Sequence, residues 1–291
     1  MDKVQNNALL VRVKCTRWQH SFEDKGLASE LTHSKGASDG VLKVRKTIAQ
    51  QPVVRALDKL IGQVGNQIVR KMTLRWDEGE HLLTVENIDR FEDAIRDKND
   101  KLEANKAELR LEWPTIIAVD KNLLGSTFDA DLYPTADEVC DSYSITYSLK
   151  PLPSSDDIRV SLPDEKIKLI KKSVEDEINQ KIESAMERVH SDVLTALENL
   201  IEGLERHGKK EGNAKRASKF GDNTVEEIKR IAEILPSLNL TGDPVLAQAG
   251  NKLLTKLRDL DPKQLRESKS KRKETVAQAK EIVDSLSGFF D

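Results

Sequence analysis

Gly36-Ala37-Ser38-Asp39-Gly40 fits G-x-S-x-G, the pattern that presents a serine nucleophile on a strained turn between a strand and a helix. That chemistry needs a buried strand ahead of the serine and parallel strands beside it. The residues ahead are SELTHSK, which are polar, and no run of parallel strands follows. The pattern therefore reads as a glycine-rich loop, and the nearby His33 does not alter that. The five histidines, at 20, 33, 81, 190 and 207, form no H-x-x-x-H, no H-E-x-x-H and no Cys/His cluster at zinc spacing. Neither phosphate-cradling glycine motif is present. Carboxylates are abundant but alternate with lysines along helical stretches, where they are solvated and paired. No catalytic residue, metal site or cofactor is implied, and the chain is not expected to be an enzyme.

Two basic clusters are the remaining candidates. Lys209, Lys210, Lys215, Arg216 and Lys219 stand against Glu211 alone, and Arg266, Lys269, Lys271, Arg272 and Lys273 against Glu267 alone. Either could track a phosphate backbone, which makes nucleic-acid binding the alternative function. Neither interleaves aromatics for base stacking apart from Phe220.

The elements that would position these residues follow from composition and periodicity. The chain has 291 residues, 33% of them charged and 4% aromatic, with a net charge of −3. That mix suits long, solvent-laced helices rather than a sandwich or barrel, and exerts no global pull toward nucleic acid or anionic lipid. The lone cysteines, Cys15 and Cys140, make no disulfide framework. MDKVQNN lacks the apolar core of a signal peptide, and no apolar run approaches the ~20 residues that span a bilayer. A cytoplasmic protein without a membrane partner is the expectation.

ALLVRVKCTRW (8–18) alternates as a half-buried strand. Helical spacing is expected from Val41 through Val44, Ile48, Val53, Leu57, Leu60, Ile61, Val64 and Ile68, with Pro52 dividing or kinking it. TLRWDEGEHLLTV (73–85) reads as a hairpin turning at Asp77–Gly79. Thr84 then caps a helix that ends where Pro114 stops it. Residues 127–162, with Leu132, Ile145, Tyr147, Leu149, Ile158 and Val160, suggest a small antiparallel element.

The strongest pattern lies between Asp164 and His207. Its apolar positions are Ile167, Ile170, Val174, Ile178, Ile182, Ala185, Val189, Val193, Ala196, Leu200 and Leu204. Ten steps cover 37 residues, a mean of 3.7, near the eleven-residue repeat that keeps a stripe almost straight. Such a helix is about 65 Å long and needs cover from other helices, of this chain or another copy. A linker at 208–223 then leads to helices that fold back along it.

FGDNTVEEIKRIAEILPSLNLTGDP (220–244) reads as stop and start signals. Thr224 and Glu227 form a capping box, Pro236 ends the helix at about Leu235, and Leu238 and Leu240 lie on an extended leg. Asp243-Pro244 restarts a helix, a device repeated at Asp261-Pro262. The fold class is mainly α (α+β): an elongated helical bundle on one long central helix, with an N-terminal strand and hairpin and a small antiparallel β insert. The divisions expected are 1–126, 127–163 and 164–291.

TRWQHSFEDKGLASEL, TLRWDEGEHLL and FGDNTVEEIKRIAEILPSLNLTGDP together resemble a family of phage, prophage and bacterial proteins of unknown function. Some of its members are encoded beside MoxR-type AAA ATPases and von Willebrand A-domain proteins. The resemblance implies a phage or mobile-element context and a AAA ATPase as neighbour; it carries no functional residue. The function expected is that of a non-catalytic helical adaptor or assembly factor, partnered by that ATPase or by its own copy.

Overall fold

The alternation in ALLVRVKCT forms strand β1 (Ala8–Thr16), preceded by the short helix α1 (Asp2–Asn7). The structure is a computed structural model that describes residues 2–38, 40–154, 163–207 and 220–287. Next come β2 (Ser21–Glu23), α2 (Lys25–Lys35) and β3 (Arg45–Thr47), then α3 (Pro52–Val64). A wide turn at Gly65–Val69 continues α3 into the single turn α4 (Arg70–Met72). β4 (Leu74–Asp77), β5 (Glu80–Thr84) and the 37-residue α5 (Ile88–Leu124) follow. α6 (Ala136–Asp141) leads into β6 (Ser144–Pro151). The 43-residue α7 (Asp164–Arg206) precedes α8 (Asp222–Leu238), α9 (Pro244–Lys256), α10 (Pro262–Glu267) and α11 (Lys269–Ser287). The protein is mainly α, with a small antiparallel sheet built on its N-terminal strand.

The chain divides into two compact units, neither of them contiguous. One takes Met1–Arg12, Arg70–Asp89 and Leu149–Asp291; the other takes Val13–Val69 and Arg90–Ser148. The units therefore do not follow the sequential divisions 1–126, 127–163 and 164–291. The cause is pairing between residues far apart in sequence, which no local compositional shift reports.

In the first unit Ala8, Leu9, Leu10 and Val11 pair antiparallel with Thr84, Leu83, Leu82 and His81. β5 turns back on β4 through Gly79, whose φ of 73° is the left-handed conformation that favours glycine there. The sheet order is β4-β5-β1-β6. Leu10, Leu74, Trp76 and Leu82 join one core with Ile178, Ile182, Ala185, Val189, Val193, Leu197, Leu200 and Leu204 of α7. α7 also packs against α8 and α11, and α9 against α8 and α11. Gly203 permits one close approach: a Cβ there would stand 3.0 Å from the ring of buried Phe220.

The second unit pairs β2 with β3 in register Ser21↔Thr47, Phe22↔Lys46 and Glu23↔Arg45. Asp24 caps α2 by accepting from the Leu27 amide, and Gly36 ends it in the left-handed conformation. The buried face of α3 holds Val53, Val54, Leu57, Leu60, Ile61 and Val64, and that of α5 holds Phe91, Ile95, Leu102, Leu109, Trp113 and Ile116.

Several sequence expectations are corrected. Residues 45–47 are strand, not helix, because β2 supplies them a partner, and Pro52 starts α3 as its first residue instead of kinking it. Pro114 lies inside α5: buried Trp113 and Ile116 on either side of it hold the helix through the missing hydrogen bond. Thr84 offers α5 no cap; a 3-10 turn at Val85–Asn87 intervenes, and its buried hydroxyl has no partner among the described residues. The stretch 127–154 contributes one strand, β6, to the N-terminal sheet, so no separate β insert forms among its described residues. Ile158 and Val160 lie outside the described residues.

α8 starts three residues earlier than a capping box at Thr224 would place it, with Gly221 at the N-cap. Its first turn is pinned from outside, since Arg266 pairs with Asp222 and also donates to the Phe220 carbonyl at 3.4 Å. Pro236 sits within its last turn, and Leu238 is helical and buried instead of extended. The Asp243-Pro244 and Asp261-Pro262 starts are present as read, each aspartate accepting from amides of its helix's first turn.

Candidate functional site

The first basic cluster, Lys209, Lys210, Lys215, Arg216 and Lys219, lies outside the described residues. The second straddles Ser268, between α10 and α11, and is broken up by its own hydrogen bonds. Arg266 is committed to Asp222 and the Phe220 carbonyl. Arg272 donates to the Leu265 and Arg266 carbonyls, both at 2.8 Å, satisfying the end of α10. Lys271 donates to Gln264 Oε1 at 2.7 Å.

Lys269 and Lys273 remain. They make no ion pair or hydrogen bond among the described residues, and with Arg272 they line a cleft of about 420 Å³. Leu204, Val276, Glu205 and His207 complete its lining. His207 Nδ1 accepts from the Phe220 amide at 3.1 Å, which fixes a tautomer with its proton on Nε2. Of the five described candidate cations, two lysines are thus brought together with ammonium groups that have no partner among the described residues.

The serine pattern has no elbow geometry. Gly36 is the C-cap of α2, and exposed Ser38 follows it with no strand ahead. Among the described residues no three His, Cys, Asp or Glu side chains gather as metal ligands.

A polar network in the second unit was not read from the sequence. His20 Nδ1 lies 3.0 Å from the Ile48 carbonyl and Nε2 lies 2.8 Å from Asp58 Oδ2. Both neighbours are acceptors, so the imidazolium satisfies both nitrogens and leaves no lone pair for base chemistry. Tyr143 donates to the other Asp58 oxygen at 3.1 Å, and burial beside that carboxylate pushes its phenol far up. The hydrogen bond that His20 donates to Asp58 raises the His20 pKa above its ordinary value, against desolvation and the nearby Arg17. Trp18 stacks on the ring at 5.4 Å.

A group held above its unfolded pKa of about 6.5 gives stability that is complete below that value and fades as pH rises through the folded value. The Tm advantage of the wild type over His20→Gln is therefore expected to shrink as pH rises from about 6 to about 9. A gap that stays constant across that range would remove the imidazolium from the account.

Nearby, Asp120 is 4% exposed and accepts from the Ala49 amide at 2.6 Å, Gln51 Nε2 at 2.9 Å and the Tyr133 hydroxyl at 2.7 Å. Ala49 has a φ of 51°, a strained conformation for a residue with a side chain, held by that carboxylate. The signal for Asp120 was its place on the stripe Leu109, Trp113, Ile116, at helical spacing, hidden by the assumption that Pro114 ends the helix.

The apolar stripe of α7 behaves differently along its length. From Ile178 to Leu204 it is buried, but Ile170 is 38% exposed and Leu169 69%. Leu169 lies about 160° around the helix from Ile167, so these first turns are apolar on opposite sides. A helix apolar on opposite sides has more surface to cover than one neighbour supplies. Among the described residues no helix is long and apolar enough to cross a membrane. No protein-family model, curated protein or solved structure matches the chain.

Proposed function

We propose that the protein is a non-catalytic helical adaptor or assembly factor whose docking surface is the start of α7. The observation that carries this reading is the uncovered pair Leu169 and Ile170, on a helix whose later turns are fully packed. Its partner is a MoxR-type AAA ATPase, as the resemblance to phage and prophage proteins implies, or a second copy of the chain. In nucleic-acid binding, the alternative, Arg266, Lys271 and Arg272 would have to give up the hydrogen bonds that hold α8, α10 and α11.

The test is light scattering of the full chain, alone and mixed with the ATPase and ATP. The wild type is expected to form a complex or a dimer, and Leu169→Asp with Ile170→Asp to lose it at unchanged Tm. A monomer under both conditions, or a complex untouched by the double substitution, sinks the reading.

A further inference from the structure

We propose that the cleft between the end of α7 and the start of α11 binds a phosphate monoester carrying an apolar group. Lys269 and Lys273 are four residues apart on one helix, which places their side chains on the same face with Cβ atoms about 5–6 Å apart. Their ammonium groups are exposed and unpaired among the described residues, while every other arginine and lysine of the cluster is taken by a carbonyl, an amide or a carboxylate. No acidic residue stands in the first turn of α11 to offset them. Among the described residues the one carboxylate on the cleft wall, Glu205, is paired with Lys280 at 2.8 Å. Two free ammonium groups in one concavity match a dianion better than a monoanion, and lysine serves as a point charge toward phosphate.

The rest of the lining sets the ligand's other end. Leu204 is buried and Val276 partly buried against the core, giving the cleft an apolar floor beside its cationic rim. His207 adds a donor, since its Nδ1 is held by the Phe220 amide and its proton sits on Nε2. A volume of about 420 Å³ suits a small organic phosphate rather than a bare ion. A monoester is a dianion above its second pKa of about 6, whereas each phosphodiester of a nucleic acid carries one charge. The monoester is the better match to two lysines over an apolar floor.

Isothermal titration of the full chain with phenyl phosphate tests this, with inorganic phosphate and an oligonucleotide lacking terminal phosphates as the other arms. Saturable binding of phenyl phosphate is expected, tighter than inorganic phosphate and fading as pH falls below about 6. Lys269→Gln with Lys273→Gln should weaken it at least tenfold. Lys271→Gln, whose ammonium group bonds Gln264, should leave it unchanged and shows that loss of one charge is not the cause. No saturable binding, full binding by the double variant, or preferential binding of the oligonucleotide each overturns the proposal.

Discussion

Asp120→Ala is expected to destabilise the second unit by about 3 kcal/mol, a fall of roughly 10 °C in Tm. The carboxylate serves three donors, and the substitution leaves all three without it. The Ala49 amide suffers most: Ala49 is fully buried and its left-handed backbone is fixed by that bond, so water cannot replace the acceptor. Gln51 and Tyr133 are partly exposed and recover some of the loss from solvent. Tyr133→Phe, which removes one donor and leaves Asp120 two, should cost about 1 kcal/mol. Asp120→Asn should fall between, since its amide nitrogen must face a donor. Urea denaturation followed by the fluorescence of Trp18 and Trp113 in this unit reads the series. Asp120→Ala within about 0.5 kcal/mol of wild type would show that the carboxylate does not organise the loop.

Leu200→Ala and Leu169→Ala make the second large contrast, one residue type on one helix with opposite outcomes. Leu200 is fully buried in the core of the first unit, and its truncation should cost about 3–4 kcal/mol from lost transfer energy and a cavity. Leu169 is 69% exposed, so its truncation should lie within about 0.5 kcal/mol of wild type. Calorimetry at a protein concentration low enough to keep the chain unassociated reads both. A Leu169→Ala cost near that of Leu200→Ala would mean that these turns are packed by the chain itself, and would remove the basis for a docking surface there.

How far the sequence could be read depended on whether a signal was local. The stripe from Ile178 to Leu204 was legible because helical burial repeats along one segment, and α7 runs to Arg206 much as its spacing required. The Asp-Pro starts at 243 and 261 were legible for the same reason, since a cap involves only its own first turn. Thr224 failed as a cap because Arg266, 42 residues further on, holds Asp222 and draws the helix back toward Phe220. Pro114 and Pro236 failed as stops because buried neighbours outweigh one absent hydrogen bond. The pairing of β2 with β3 has no local mark at all, since RKT carries no alternation. In the basic cluster the charges were visible, but which of them were already occupied depended on Gln264, Leu265 and Asp222. His20, Asp58 and Tyr143 meet only through the tertiary fold.

The order of translation gives the divided architecture a further consequence. By the time Ser148 leaves the ribosome, every residue of the second unit has been made, and that unit can close. The first unit has by then received only Met1–Arg12 and Arg70–Asp89. Leu10, Leu74 and Leu82 must wait for the turns of α7 that cover them, roughly 3–11 s at ordinary rates of synthesis. During that interval the nascent chain carries a finished unit beside an open apolar sheet, the state in which a chaperone or an early-binding partner has most to gain by engaging it.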